Sequence, residues 1–302
     1  MNYADRLEEA VRRAANPCLV GLDPHPANLP EEFAVVRDPA APRAAKAQAA
    51  ADFLCAILEV CAGKVPAVKP QSAFFEIYGA DGALAWERVV ATARRAGLIV
   101  IGDVKRGDID TTAKAYAHAF LEGSGPADRA HLCDAITINP YLGSDSILPF
   151  LDSCKQAGAG IYVLVRTSNK DSKLIQDHGT PPVYERVADS VVAWGKELVG
   201  ARGLSSVGAV VGATHPAELT ALRTRMPTTP FLIPGYGAQG AGAADIAGGF
   251  LRGGRGALVN SSRGILFASK QPAYRELHWK DAAARAIDAM ALEINAAVGF
   301  ES

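Results

Sequence analysis

Eight short runs rich in β-branched residues recur along the chain, each separated from the next by a stretch of helical composition. This alternation constrains the fold more than any other feature, because it is the pattern of βα units around a parallel sheet. The runs that read as strands are Cys18 to Leu22, Ala67 to Lys69, Leu98 to Asp103, Ala135 to Asn139, Ile161 to Arg166, Val207 to Gly212, Phe231 to Ile233 and Gly256 to Asn260. Between them, segments such as Ala44 to Ala62, Gly82 to Ala96, Thr112 to Leu121, Val183 to Val199 and His215 to Arg225 have the length and Ala/Leu/Glu/Arg content of surface helices. A further helix is expected over residues 2–15. Eight such units closing on themselves make one α/β domain, a (β/α)8 TIM barrel spanning residues 1–302. The competing architecture is an open doubly wound sheet. It normally places G-x-G-x-x-G after the first strand, whereas here DPHPANLP follows.

Composition excludes several partner classes. Lys plus Arg (31) nearly cancels Asp plus Glu (32), so no net field would hold a nucleic acid or an anionic membrane, and an anionic ligand must be gripped by local groups. No run reaches the ~18 uninterrupted apolar residues of a membrane span. The opening segment, MNYADRLEEAVRRAANP, carries charges in a helical pattern and lacks an apolar core, so no secretory signal is expected and the expected compartment is cytoplasm. Five cysteines (Cys18, Cys55, Cys61, Cys133 and Cys154) show no C-x-x-C spacing and read as buried reduced thiols. The six histidines form neither H-x-x-x-H nor H-x-H. Neither a metal nor a cofactor is expected.

Most of the strands end in a polar or special residue: Asp23, Lys69, Asp103 with Lys105, Asn139, Thr167 with Ser168, Thr214, Pro234 with Gly235, and Ser262 with Arg263. A barrel builds its active site at that face. The sharpest segment is Leu98 to Ala113, LIVIGDVKRGDIDTTA. Side chains alternate along a strand, so Asp103 and Lys105 should point together into the barrel mouth while Val104 faces the other way. Taken singly, Asp108 or Asp110 reads as a helix N-cap and the Asp103–Lys105 pair as a salt bridge. Together with Lys69 they describe a compact array of alternating charges.

Such an array suits decarboxylation. A lysine held between carboxylates keeps its proton and is a poor Schiff-base nucleophile. A carboxylate set where a substrate carboxylate must bind repels it by about 4 kcal/mol at ~4 Å and an effective dielectric near 20, and that repulsion vanishes as neutral CO2 departs. The neighbouring ammonium stabilises the developing carbanion and can protonate it. A second constellation suits phosphate. Ile233-Pro-Gly-Tyr-Gly-Ala-Gln-Gly240 offers backbone N–H groups after the seventh strand, and Asn260-Ser-Ser-Arg263-Gly264 offers a guanidinium after the eighth, the two loops from which barrels build phosphate sites. The Gly-rich stretch at 235–256 therefore reads as a binding loop.

These motifs resemble orotidine 5′-phosphate decarboxylase, in its longer bacterial subgroup called type 2. The matching segments are Gly21-Leu-Asp-Pro24, Lys69-Pro-Gln-Ser-Ala-Phe-Phe-Glu76, Asp103-Val-Lys-Arg-Gly-Asp-Ile109 with Thr112, Thr137-Ile-Asn-Pro-Tyr-Leu-Gly143, Pro234-Gly-Tyr-Gly-Ala-Gln239 and Asn260-Ser-Ser-Arg263. The family pattern D-x-K-x-x-D-I-x-x-T is met at every specified position. The resemblance implies cofactor-free conversion of orotidine 5′-monophosphate to UMP, with Lys105 donating a proton to C6 and Asp103, Asp108 and Lys69 completing the charge array. It implies that Asp23 and Lys69 bind ribose hydroxyls, Ser168 reads the pyrimidine amide edge, Gln239 bridges phosphate and base, and Arg263 holds the phosphate. Asn139, Pro234, Gly235 and Ser262 complete the expected substrate-binding set. It also implies a homodimer in which Asp108, Ile109 and Thr112 reach the neighbouring subunit's site. Two rivals share the barrel: a Mg2+-dependent sugar-phosphate decarboxylase or synthase, which needs a further strand-end carboxylate, and a catalytically silent nucleotide-binding barrel, against which retention of Lys105 and both aspartates speaks.

Overall fold

The computed structural model describes residues 1–237 and 240–301, with the backbone alone at Pro126 and Ala127. Eight parallel strands close into a barrel in sequence order, β8 pairing with β1. They are β1 (Cys18–Leu22), β2 (Ala67–Pro70), β3 (Ile99–Arg106), β4 (Ala135–Ile138), β5 (Gly160–Arg166), β6 (Val207–Val211), β7 (Phe231–Ile233) and β8 (Ala257–Ser261). All eight lie where the β-branched runs placed them, with ends moved by at most a few residues. The helices are α1 (Tyr3–Ala14), α2 (Arg43–Cys61), α3 (Ala73–Glu76), α4 (Gly79–Arg95), α5 (Asp110–Ala117), α6 (Leu148–Ala157), α7 (Lys173–Gln176), α8 (Val183–Gly195), α9 (Pro216–Arg225), α10 (Ala243–Ile246), α11 (Arg263–Leu266) and α12 (Trp279–Val298). None is long and apolar enough to cross a membrane among the described residues.

Alternation along the strands divides the apolar residues between two cores. Cys18, Val20 and Leu22 of β1 face outward, with Val68 and Val100, into the large layer between sheet and helices. Leu19 faces inward with Ala67, Ile101, Ala135, Tyr162, Leu232 and Leu258. The inner core is closed from below by α1, whose Tyr3, Leu7, Ala10 and Val11 join it. Tyr3 meets Tyr162 edge-on, and their hydroxyls lie 3.1 Å apart. Gly160 makes room for this plug, since a Cβ there would lie 2.3 Å from the Tyr3 ring. With the N-terminal end stoppered, the C-terminal mouth is left for chemistry.

The structure corrects some local expectations. The stretch from 235 to 256 is not one loop. It forms α10 and a further helical turn at Ala247–Gly249, and closes an antiparallel bridge between Leu251 and Arg255. Ile246 and Phe250 are buried in the outer core, so these two apolar residues among many glycines seat the helical connection between β7 and β8 against the barrel. Neither Asp108 nor Asp110 caps α5; Ile109 occupies the N-cap, and Asp108 accepts from the Ile109 N–H at 2.8 Å. Four cysteines are buried, and burial pushes the thiols of Cys61, Cys133 and Cys154 up to about 12, whereas Cys55 is half-buried.

Candidate active site

Asp103 is the hub of the mouth. It is 6% exposed, and both carboxylate oxygens are engaged. Oδ2 accepts from Lys69 Nζ at 2.6 Å and Gln71 Nε2 at 2.9 Å; Oδ1 accepts from Lys105 Nζ at 2.5 Å and Thr137 Oγ1 at 2.9 Å. Burial alone would raise the Asp103 pKa, but the two ammonium groups outweigh it and hold the carboxyl far below the ordinary carboxylate range. For buried Lys69, desolvation likewise opposes the charged form, and the Asp103 and Asp23 carboxylates outweigh it, so its pKa is raised. The site is thus built from fixed charges rather than from a neutral acid–base pair.

Lys105 reaches Asp103 by an unusual backbone. Its φ is +44°, in the left-handed region, which costs a non-glycine residue roughly 1–2 kcal/mol. The pairing of β3 with β4 shifts register there, between Gly102 and Arg106. Asp103 and Lys105 still share the mouth while Val104 enters the outer core, as alternation predicts. Beyond them Arg106 swings outward to Glu76 at 2.6 Å, and Gly107 lets the chain pass Asn139, where a Cβ would come within 2.9 Å of the carbonyl oxygen.

These groups line a cavity of about 820 Å3. Asp23, Lys69, Gln71, Asp103, Lys105 and Asn139 form one wall; Leu164, Val210, Leu232 and Pro234 bring apolar surface. The excursion between β5 and α8 contributes Thr167, Ser168, Asn169, Ile175 and Gln176. Arg166 anchors this excursion. Its side chain is 1% exposed, donates to Glu218 through Nε at 2.6 Å, pairs with Asp177 and lies 4.8 Å from the Tyr184 ring. Gln176 then binds Thr167 twice, accepting from its N–H at 3.0 Å and donating to its hydroxyl at 2.7 Å.

Of the residues expected from sequence, Asp23, Lys69, Asp103, Lys105, Asn139, Ser168 and Pro234 meet around this cavity. Asp108, Ile109 and Thr112 do not; they follow β3 outside it, with Ile109 44% exposed. Arg263 lines a separate cavity of about 550 Å3 with Tyr236, Gly237 and Ser261, and Gly235 and Ser262 line neither. Gln239 lies outside the described residues. Three buried oxygens at the β1 and β8 ends, Asp23 Oδ1, Asn260 Oδ1 and Ser262 Oγ, have no hydrogen-bond partner among the described residues. Gly21 opens the niche beside two of them: a Cβ there would lie 1.9 Å from Ser262 Oγ and 2.9 Å from Asn260 Oδ1.

The sequence reading gave no individual role to Gln71, Thr137, Arg166 or Gln176. Gln71 and Thr137 stand inside motifs already singled out, two residues from Lys69 and Asn139, and that spacing was the available signal. Among the described residues no three His, Cys, Asp or Glu side chains gather as a metal-ligand set.

Comparison with known proteins agrees with this geometry. A family profile described as Orotidine 5′-phosphate decarboxylase / HUMPS family matches residues 17–277. An orotidine 5′-phosphate decarboxylase of Rhodopirellula baltica is 44% identical over 291 residues, covering 93% of this chain and 95% of its own. One from Clostridium perfringens is 40% identical, covering 88% and 89%. The solved OMP decarboxylase of Leishmania donovani superposes with a TM-score of 0.76 at 33% identity, covering 99% of this chain and all of the other. With a charge cluster at the mouth of a closed barrel and relatives matched over nearly their whole length, the chain belongs to the orotidine 5′-phosphate decarboxylase family.

Proposed function

We infer that this chain is a carboxy-lyase that converts orotidine 5′-monophosphate to UMP, and that the cluster centred on Asp103 performs the step. The observation that carries this reading is one buried carboxylate shared by two ammonium groups in a nucleotide-sized cavity. The C6–carboxylate bond breaks, CO2 leaves, and the electron pair remains on C6. The Lys105 ammonium stabilises that vinyl carbanion and delivers its proton to C6; fixed charges are worth most where charge develops only in the transition state. No added group is required by these steps.

Substrate contacts follow from position. Asp23, with one buried oxygen lacking a donor among the described residues, suits a ribose hydroxyl, and Lys69 lies within reach of the same end. Asn139 and Ser168 border the space for the base, Ser168 as the reader of the pyrimidine amide edge. Pro234, Gly235, Gln239, Ser262 and Arg263 belong to the two loops proposed to hold the phosphate, Arg263 bidentately.

The functional unit in this reading is a homodimer. Asp108, Ile109 and Thr112 serve the neighbouring subunit's site, and the exposure of Ile109, Tyr141 (79%) and Leu142 (52%) supports a partner on this rim. The chain is assigned to the longer bacterial subgroup and to the cytoplasm. Mixing Lys105→Ala with Asp108→Ala chains, each inactive alone, tests the shared site. Each heterodimer should regain about half of wild-type activity, since one of its two sites is then intact, and a statistically mixed sample about a quarter. Heterodimers that form and stay inactive overturn it.

A further inference from the structure

Thr137 sits on β4 with its side chain almost completely buried, 1% exposed, below the two charged groups of β3. Pairing between β3 and β4 runs Ile101 with Ala135 and Gly102 with Ile136, then resumes at Arg106 with Ile138. Residues 103–105 therefore stand opposite the single residue Thr137. A strand carrying extra residues cannot satisfy all its N–H groups from the neighbouring backbone. Here the side chain substitutes: the Lys105 N–H donates to Thr137 Oγ1 at 2.9 Å, and Thr137 Oγ1 lies 2.9 Å from Asp103 Oδ1.

The polarity of this pair of bonds is fixed. A backbone N–H can only donate, and an ionised carboxylate can only accept, so the Thr137 hydroxyl accepts from Lys105 and gives its one proton to Asp103. One oxygen thereby ties the backbone of the proton donor to the carboxylate its ammonium contacts. The amide so bound belongs to a residue at φ +44°. Strained backbone persists only where surrounding contacts hold it, and Thr137 is the contact on the amide.

We propose that Thr137 is a positioning residue for the decarboxylation, setting the place of the Lys105 ammonium through a hydroxyl that joins the Lys105 amide to Asp103. This rests on the proposed role of Lys105 as proton donor. Thr137 lines the cavity below these groups, and its two hydrogen bonds are both made to protein, so its effect falls on the chemical step rather than on substrate affinity.

Three variants separate positioning from packing. Thr137→Val keeps the shape and removes the hydroxyl; Thr137→Ser keeps the hydroxyl and removes a methyl; Thr137→Ala removes both. Thr137→Val should lower kcat on the order of 10- to 100-fold, the range spanned by one hydrogen bond to a charged group, with KM within about threefold. Thr137→Ser should stay within about fivefold of wild type in kcat. A loss as large in Thr137→Ser as in Thr137→Val, or a change confined to KM, overturns the proposal. Hydrogen exchange at the Lys105 amide, read by NMR with lysine-selective labelling, supplies a measure independent of turnover. It should speed up at least tenfold in Thr137→Val, or in Thr137→Ala should the valine variant not fold, and stay slow in Thr137→Ser. Equal exchange in all of them overturns the proposal. If the wild type did not turn over orotidine 5′-monophosphate, the functional reading would fail, while the exchange result would still decide whether Thr137 restrains Lys105.

Discussion

Lys69 Nζ lies 2.6 Å from Asp103 Oδ2, and the two side chains are only 7% and 9% exposed. Each ion is expensive to bury alone, and their attraction offsets the cost only while both are present. Replacing Lys69 with Met leaves Asp103 buried with half of its compensating charge, which should destabilise the fold by about 3–5 kcal/mol and abolish turnover. The double variant Lys69→Met/Asp103→Asn should be more stable than the sum of the two single losses, because the penalty is shared, and equally inactive. Urea denaturation of the four proteins measures the coupling. Strict additivity would show that the pair is not electrostatically linked.

The same pair sets a dependence of stability on pH. The Asp103 pKa is held below its unfolded value of about 3.9, so its contribution is complete above that pH and is lost as pH falls toward the folded value. The Lys69 pKa is raised above about 10.4, so its contribution is complete below that pH and is lost as pH rises through the folded value. The stability difference between wild type and the double variant should be flat from about pH 5 to 9 and shrink at both ends. Denaturant midpoints across that range check it. A steady slope through neutral pH would contradict the assignment.

Arg166 presents a second buried charge with a mechanical role. Its partners Asp177 and Glu218 are 39% and 31% exposed, so water can rescue them when the guanidinium is removed. Arg166→Met should therefore cost about 2–3 kcal/mol, somewhat less than breaking a fully buried pair. Because Arg166 fastens the excursion carrying Ser168 and Gln176, the variant should also raise KM about tenfold and admit protease cleavage within residues 167–182. Unchanged KM with the expected loss of stability would limit Arg166 to the fold.

The strands were legible because β-branched runs bounded by Gly, Asp and Asn leave few alternatives, and once eight were found the barrel order followed. The meeting of Asp23, Lys69, Asp103 and Lys105 was legible for a related reason, since all four stand at strand ends on one face of a closed sheet. What was hidden depends on pairing between strands. The left-handed Lys105 and its bond to Thr137 arise from a register shift that no local propensity encodes. The Arg166 network joins residues 11 and 52 positions apart. In 235–256 the glycines concealed α10, whose four residues are too few to show a helical period.

The most direct measurement is the loss of orotidine 5′-monophosphate absorbance with EDTA present, comparing wild type with Lys105→Ala. The account predicts undiminished turnover by the wild type in EDTA and a loss of at least about a hundredfold to ten-thousandfold in the variant, the range for removing a general acid. No turnover by the wild type, or a Lys105→Ala rate within about tenfold of it, would contradict the role given to Lys105 in the Asp103 cluster.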